Sequence, residues 1–96
     1  MADQYWLYIM ASGKNGTLYV GTTSNLSARV TAHREDRGAA FVRKYGVKRL
    51  VYYEEAGTYD EARLREARVK KWLRRWKIEL FEGLNPEWED LYQTLI

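Results

Sequence analysis

The sequence predicts an α+β fold: a small sheet made of a hairpin plus a third strand, flanked by helices. Three observations carry this. Two short runs rich in aromatic and apolar residues, 5–10 and 17–21, straddle the loop Ser12-Gly13-Lys14-Asn15-Gly16. A third run of the same kind spans 47–55. Between and after these runs, apolar residues recur at helical spacing. At 96 residues the chain is expected to form one domain, residues 1–96, around a single modest core.

Residues 5–10 (Tyr-Trp-Leu-Tyr-Ile-Met) read as a buried strand, and residues 17–21 pair with them as a hairpin. A loop centred between Gly13 and Lys14 sets Tyr8 opposite Tyr19, whereas a two-residue Asn15-Gly16 turn sets Tyr8 opposite Thr23. Both registers put Tyr8 and Tyr19 on one side, because faces repeat every second residue. A one-residue bulge in the pair would break that parity.

Residues 22–25 offer several helix N-caps. In the helix that follows, Leu26, Arg29, Val30 and His33 share one face. Two apolar residues thus lie beside an arginine and a histidine, and a buried polar group needs a partner. Residues 38–46 hold a short helix stopped by Gly46. Residues 47–55 form the third strand, with Leu50, Val51, Tyr52 and Tyr53 at its centre.

Thr58-Tyr59-Asp60-Glu61 fits a capping box that opens a long basic helix, with an apolar stripe of Ala62, Val69, Trp72, Leu73, Trp76 and Leu80. Glu66 falls inside that stripe, where an ionised carboxylate is costly unless paired with a cation or a metal. Beyond Gly83, Asn85-Pro86 restarts a helix with Asn as N-cap and Pro at the first position; Trp88, Leu91, Tyr92 and Leu95 form its stripe.

Composition excludes several classes. There are no cysteines, which removes disulfides, thiolate metal sites and cysteine nucleophiles. Neither a signal-peptide pattern nor an apolar run of roughly 20 residues is present, so a soluble cytoplasmic protein without membrane association is expected. The net charge of +3 is a weak signal for nucleic acid, but its distribution is uneven. Basic residues concentrate between Arg63 and Lys77, while no Lys or Arg follows Glu79.

Tyr8, Tyr19, Arg29, His33 and Glu66 are thus candidates to meet on one sheet face between two helices. In order, Trp6-Leu7-Tyr8, Tyr19-Val20-Gly21, Arg29, His33 and the acid in Leu64-Arg65-Glu66-Ala67-Arg68-Val69-Lys70-Lys71-Trp72 resemble the GIY-YIG endonuclease superfamily in its small single-domain bacterial form. Leu84-Asn85-Pro86-Glu87-Trp88 matches the same branch, and the resemblance covers roughly residues 5–92. Tryptophan replaces the glycine of the first triplet, and valine the isoleucine of the second.

The resemblance implies a three-stranded antiparallel sheet flanked by helices and a metal-dependent hydrolase of nucleic-acid phosphodiesters, DNA ahead of RNA. It implies Glu66 as ligand of a divalent metal, Mg²⁺ or Mn²⁺, and Arg29 as the group that binds the scissile phosphate. Tyr8 would take a proton from the attacking water, with Tyr19 and His33 shaping its environment; Asn85 is a weaker carry-over. One carboxylate is too few for two metals, which favours one. A tyrosine is a poor base at its reference pKa of about 10, so Arg29, the metal or a protonated His33 would have to lower it. Arg29, Arg34, Lys70, Lys71 and Arg74 are the expected nucleic-acid contacts.

Other readings remain for each residue. Tyrosines on paired strands are ordinarily core aromatics, Arg29 can form a salt bridge with Glu66, and a basic helix face is commonly just solvated. At the level of the chain the alternatives are a non-catalytic nucleic-acid-binding domain on the same scaffold and a docking module that uses the acidic C-terminal helix.

Overall fold

The computed structural model describes residues 4–95. Its centre is a three-stranded antiparallel sheet of β1 (Tyr5–Ala11), β2 (Leu18–Thr23) and β3 (Arg49–Ala56), in the order β2-β1-β3. With β1 in the middle, both of its faces are covered. Leu7, Ile9 and Ala11 pack on one side and Tyr8 and Met10 on the other. A strand buried on both faces has no polar side to alternate with, hence the unbroken apolar run.

The hairpin register lies between the two expected ones. Tyr8 pairs with Gly21 and Met10 with Tyr19, because the loop is centred between Lys14 and Asn15. Parity survives, so Tyr8 and Tyr19 do share a face. The bulge falls in the other ladder: Ile9 pairs with Tyr52 and Met10 with Leu50. The extra residue, Val51, therefore turns to the same side as Tyr52.

One layer holds α1 (Leu26–Arg34) and α2 (Ala40–Tyr45). The Asn25 side chain caps α1 by accepting from the Ala28 N–H at 3.1 Å. Leu26, Val30 and His33 are buried and Arg29 is exposed, so the mixed face expected from spacing is split at its rim. The α2 helix ends at Gly46, whose φ of 63° continues the chain in the left-handed region.

The other layer corrects the single long helix. It comprises α3 (Tyr59–Lys70) and α4 (Arg74–Glu82), joined by an extended Leu73. At 3.6 residues per turn a straight helix would place Phe81 about 120° and Ile78 about 180° from Val69. Breaking the helix lets Val69, Trp72, Ile78 and Phe81 all reach the core. The cost is that Leu73 and Trp76, expected in the stripe, are left half exposed. The Thr58 cap forms as expected, with Oγ1 accepting from the Glu61 N–H; the reciprocal carboxylate accepts from Gly57 N–H instead of Thr58.

Among the described residues no α-helix follows Asn85. Residues 86–87 form a turn, Trp88 adopts a φ of 57°, and only a short 3-10 helix, α5 (Leu91–Leu95), closes the described chain. Asn85 is a buried clamp rather than a helix cap. Its Nδ2 donates to the Val51 and Glu89 carbonyls and its Oδ1 accepts from the Glu89 N–H. The expected C-terminal stripe is divided: Trp88 enters the core beside Phe81, while Leu91, Tyr92 and Leu95 cover the opposite sheet face. No described helix is long and apolar enough to cross a membrane.

Candidate active site

A cleft of about 480 Å³ opens over the edge strand β2, lined by side chains from both layers. Tyr8, Tyr19, Gly21 and Arg29 contribute from the α1 side. Thr22, Tyr59, Arg63, Glu66 and Lys70 contribute from the α3 side. The candidate residues thus come together around the rim of the sheet, not upon one face. Edge position makes this possible, because no further strand covers β2.

On the α1 side Tyr8 and His33 are both fully buried, and the Tyr8 hydroxyl lies 2.9 Å from His33 Nε2. The Tyr19 ring stands edge-on to His33 at 5.5 Å. Two glycines make room for this pair. A Cβ on Gly21 would fall 2.6 Å from the Tyr8 hydroxyl, and one on Gly38 would fall 2.1 Å from His33 Nδ1. Both distances are well inside van der Waals contact. His33 Nδ1 has no hydrogen-bond partner among the described residues, so Nε2 is the only ring nitrogen held by a bond.

Electrostatics corrects one expectation. Burial, and then the Arg29 charge, lower the His33 pKa, so the imidazole is held neutral and is not a cation able to acidify Tyr8. Burial and the Tyr19 hydroxyl push the Tyr8 pKa up, against the opposing pull of Arg29. With His33 neutral, the Tyr8 hydroxyl donates and Nε2 accepts.

On the α3 side Glu66 is half buried. Its Oε1 accepts from Thr22 Oγ1 at 2.8 Å, and its Oε2 meets Lys70 Nζ at 2.5 Å. Burial raises the carboxyl pKa, but the hydrogen bonds from Lys70 and Thr22 and the charges of Lys70 and Arg63 outweigh it and hold it below the usual value. Glu66 is therefore ionised near neutral pH and is the only carboxylate among the described residues that line the cleft. Arg29 does not pair with it. Among the described residues the Arg29 guanidinium has no acidic partner; it stands beside the Tyr8 phenol, whose pKa its charge and hydrogen bonding pull down.

A carboxylate and a hydroxyl facing an open, solvated cleft are hard oxygen donors. They fit Mg²⁺ or Mn²⁺, which keep several waters and take phosphate oxygens as further ligands. Binding there requires Lys70 to move off Oε2. No group of three or more His, Cys, Asp or Glu suited to caging a metal occurs among the described residues.

The expected nucleic-acid contacts divide. Arg29 and Lys70 line the cleft, and Lys71 is exposed at the end of α3. Arg34 is bound to Asp90 and lies 4.5 Å over the Tyr92 ring, and Arg74 donates to the Asn15 and Gly16 carbonyls. These two fasten distant segments to the fold, and Asn85 likewise lies away from the cleft. Sequence reasoning missed Thr22, Tyr59 and Arg63. Tyr59, Arg63, Glu66 and Lys70 follow each other by three or four residues along one helix face, the signal that could have found two of them.

Comparison with known proteins establishes the family. The profile of the GIY-YIG catalytic domain matches residues 4–79, and the chain belongs to the GIY-YIG family, whose members are generally endonucleases acting on nucleic acid. Its relatives are small. The UPF0213 protein CPE1444 of Clostridium perfringens is 39% identical over 78 residues, covering 81% of this chain and 83% of that one. The UPF0213 protein YE0453 of Yersinia enterocolitica is 34% identical over 80 residues, covering 83% and 82%. The solution NMR structure of the UPF0213 protein BH0048 from Bacillus halodurans superimposes with a TM-score of 0.55 at 30% identity, covering 91% of this chain and 92% of that one.

Proposed function

We propose that this chain is a metal-dependent endonuclease that hydrolyses phosphodiester bonds in nucleic acid, DNA ahead of RNA. One observation carries the reading: Arg29, with no acidic partner among the described residues, shares a cleft with the ionised carboxylate of Glu66 and with Tyr8, whose hydroxyl is bound to the buried His33. Family membership supports it.

In this reading Arg29 grips the scissile phosphate with its planar fork and offsets the charge that grows in the transition state. Glu66, with Thr22, holds the divalent ion. When bound, that ion supplies Lewis-acid stabilisation of the phosphate and the leaving oxygen. Tyr8 accepts a proton from the attacking water while passing its own hydroxyl proton to His33 Nε2, so no bare phenolate has to form in a buried site. A phosphate on Arg29 offsets the positive charge that otherwise disfavours the imidazolium. Arg63, Lys70 and Lys71 contact the flanking backbone.

The test is cleavage of a panel of DNA and RNA substrates, single-stranded, duplex and branched, with Mg²⁺ and with a chelator in its place. Cleavage by the wild type, lost with the chelator and in Glu66→Ala, is expected. No cleavage of any substrate, or equal cleavage by the variant, overturns it.

A second reading is a non-catalytic nucleic-acid binder on this scaffold. It draws on one observation, that Lys70 already neutralises Glu66. Salt-sensitive binding without cleavage, unchanged in Tyr8→Phe, would select it.

A further inference from the structure

Beside the cleft lies a second groove, lined by Leu18, Tyr19, Val20, Phe41, Lys70 and Lys77. It shares Tyr19 and Lys70 with the cleft, so the two are one continuous track. We propose that this groove is a base-stacking subsite that binds the unpaired bases of single-stranded nucleic acid next to the scissile phosphate. This deepens the nuclease reading and rests on it for the role of the neighbouring cleft.

Aromatic rings supply the stacking surface. Tyr19, Phe41 and Tyr45 form a stepped row, with centroids 6.1 Å apart for the first pair and 4.7 Å for the second. The row starts at a tyrosine that also lines the cleft and ends at the surface. Phe41 and Tyr45, one turn apart on α2, keep 44% and 46% of their area exposed. Two neighbouring exposed rings on a six-residue helix forgo burial that would stabilise the fold by itself.

Charge identifies the occupant. Lys70 and Lys77 line the groove, and Lys44 Nζ stands 5.4 Å over the Tyr45 ring. Among the described residues no carboxylate lines it. Flat rings interleaved with ammonium groups match bases alternating with phosphates, and an apolar peptide would offer no anion to Lys44 and Lys77. A duplex keeps its base faces stacked internally and cannot offer them to Phe41 and Tyr45. Hence the preference for an unpaired strand.

The experiment measures fluorescence anisotropy of a fluorescein-labelled oligo(dT) of about 20 nucleotides and of a blunt duplex of equal length, without divalent ions. The wild type is expected to bind the strand about tenfold tighter than the duplex. Phe41→Leu/Tyr45→Leu should lose about tenfold of strand affinity and leave duplex affinity within about twofold, since each base–ring contact is sequence-tolerant but needs a π face. Phe41→Trp keeps that face and should retain strand binding. If the double variant melts early, Tyr45→Leu and Phe41→Trp carry the test, since Tyr45 is half exposed. Equal affinity for strand and duplex, or a double variant that binds like wild type, overturns the subsite. Failure of the nuclease reading is separately visible: strand binding that depends on Phe41 and Tyr45, in a protein that cleaves nothing with Mg²⁺, removes that reading and leaves the subsite standing.

Discussion

Two carboxylate networks meet neighbouring residues of α3, Glu66 with Lys70 within that helix and Glu54 of β3 with Arg65, and they differ in how firmly each carboxylate is held. Glu54 receives two hydrogen bonds from Arg65, at 2.9 and 3.1 Å, and a third from the Tyr52 hydroxyl at 2.5 Å. The Arg65 guanidinium also lies 5.2 Å from the Trp72 ring. Every strong partner there is protein, and the geometry is a closed fork. Glu66 instead holds one flexible lysine and one hydroxyl, and faces a cleft containing Arg29, which has no acidic partner among the described residues. A charged pair is therefore not informative by itself. What marks the cleft is that its partners are replaceable and its arginine is paired with no described acid.

The largest expected effect separates the two networks outright. Glu66→Gln should lower cleavage by about 10³-fold, as for loss of several kcal/mol of metal-borne stabilisation, and cost at most about 1 kcal/mol of stability, since its Lys70 partner is half exposed. Glu54→Gln should keep cleavage within about twofold, with stability lower by about 1 kcal/mol because Arg65 and Tyr52 lose a charged acceptor. A Glu54 variant that fails to cleave, but folds normally, would erase the distinction.

Arginines of one helix give the next comparison. Arg29 and Arg34 both lie on α1, yet Arg34 is clamped between Asp90 and Tyr92 while Arg29 lines the cleft with no acidic partner among the described residues. Arg29→Ala should reduce kcat by about 10²- to 10³-fold with little change in melting temperature. Arg34→Ala should cost at most about 1 kcal/mol, since this pair is part exposed and screened, and should keep kcat within a few fold. Single-turnover cleavage and thermal melts on the same preparations distinguish them.

Most of the cleft was legible in sequence because its residues follow local rules. Alternation along two strands fixed the shared face of Tyr8 and Tyr19 even though neither expected register was right. Helical spacing put His33 and Glu66 on inward faces. Three things were not legible. The break at Leu73 depends on which of two apolar sets, Leu73 and Trp76 or Ile78 and Phe81, reaches the sheet, and that is a tertiary choice. The same limit applies to Asn85-Pro86, which has the local signature of a helix start but is used to anchor Trp88 and Glu89 against β3. Arg34 and Arg74 read as free cations because their acceptors, Asp90 and two hairpin carbonyls, are remote in sequence. Local pattern specifies which face a residue occupies, and only the assembled chain specifies whether its charge is already used.

Tyr52 and Tyr8 give the smallest effect and the finest comparison. Both phenols are raised by burial, but the second cause differs: for Tyr52 it is the hydrogen bond to Glu54, which brings its pKa to about 12, and for Tyr8 it is Tyr19. A folded-state pKa above the reference value of 10.0 means that the folded protein holds this proton where the unfolded chain releases it. Its contribution is fully present below pH 10 and is lost as pH rises from 10 toward about 12. Tyr52→Phe should therefore cost about 1 kcal/mol at pH 8 through the lost hydrogen bond. That deficit should shrink across the alkaline window, because the variant has no phenol to ionise. Cleavage at pH 8 should be unchanged, since Tyr52 packs on the core and the Glu54 network and does not line the cleft. Urea midpoints at pH 8, 10 and 11.5 read the first effect and initial rates the second. A constant deficit would detach Tyr52 from Glu54, and a fall in rate would couple the structural network to the cleft.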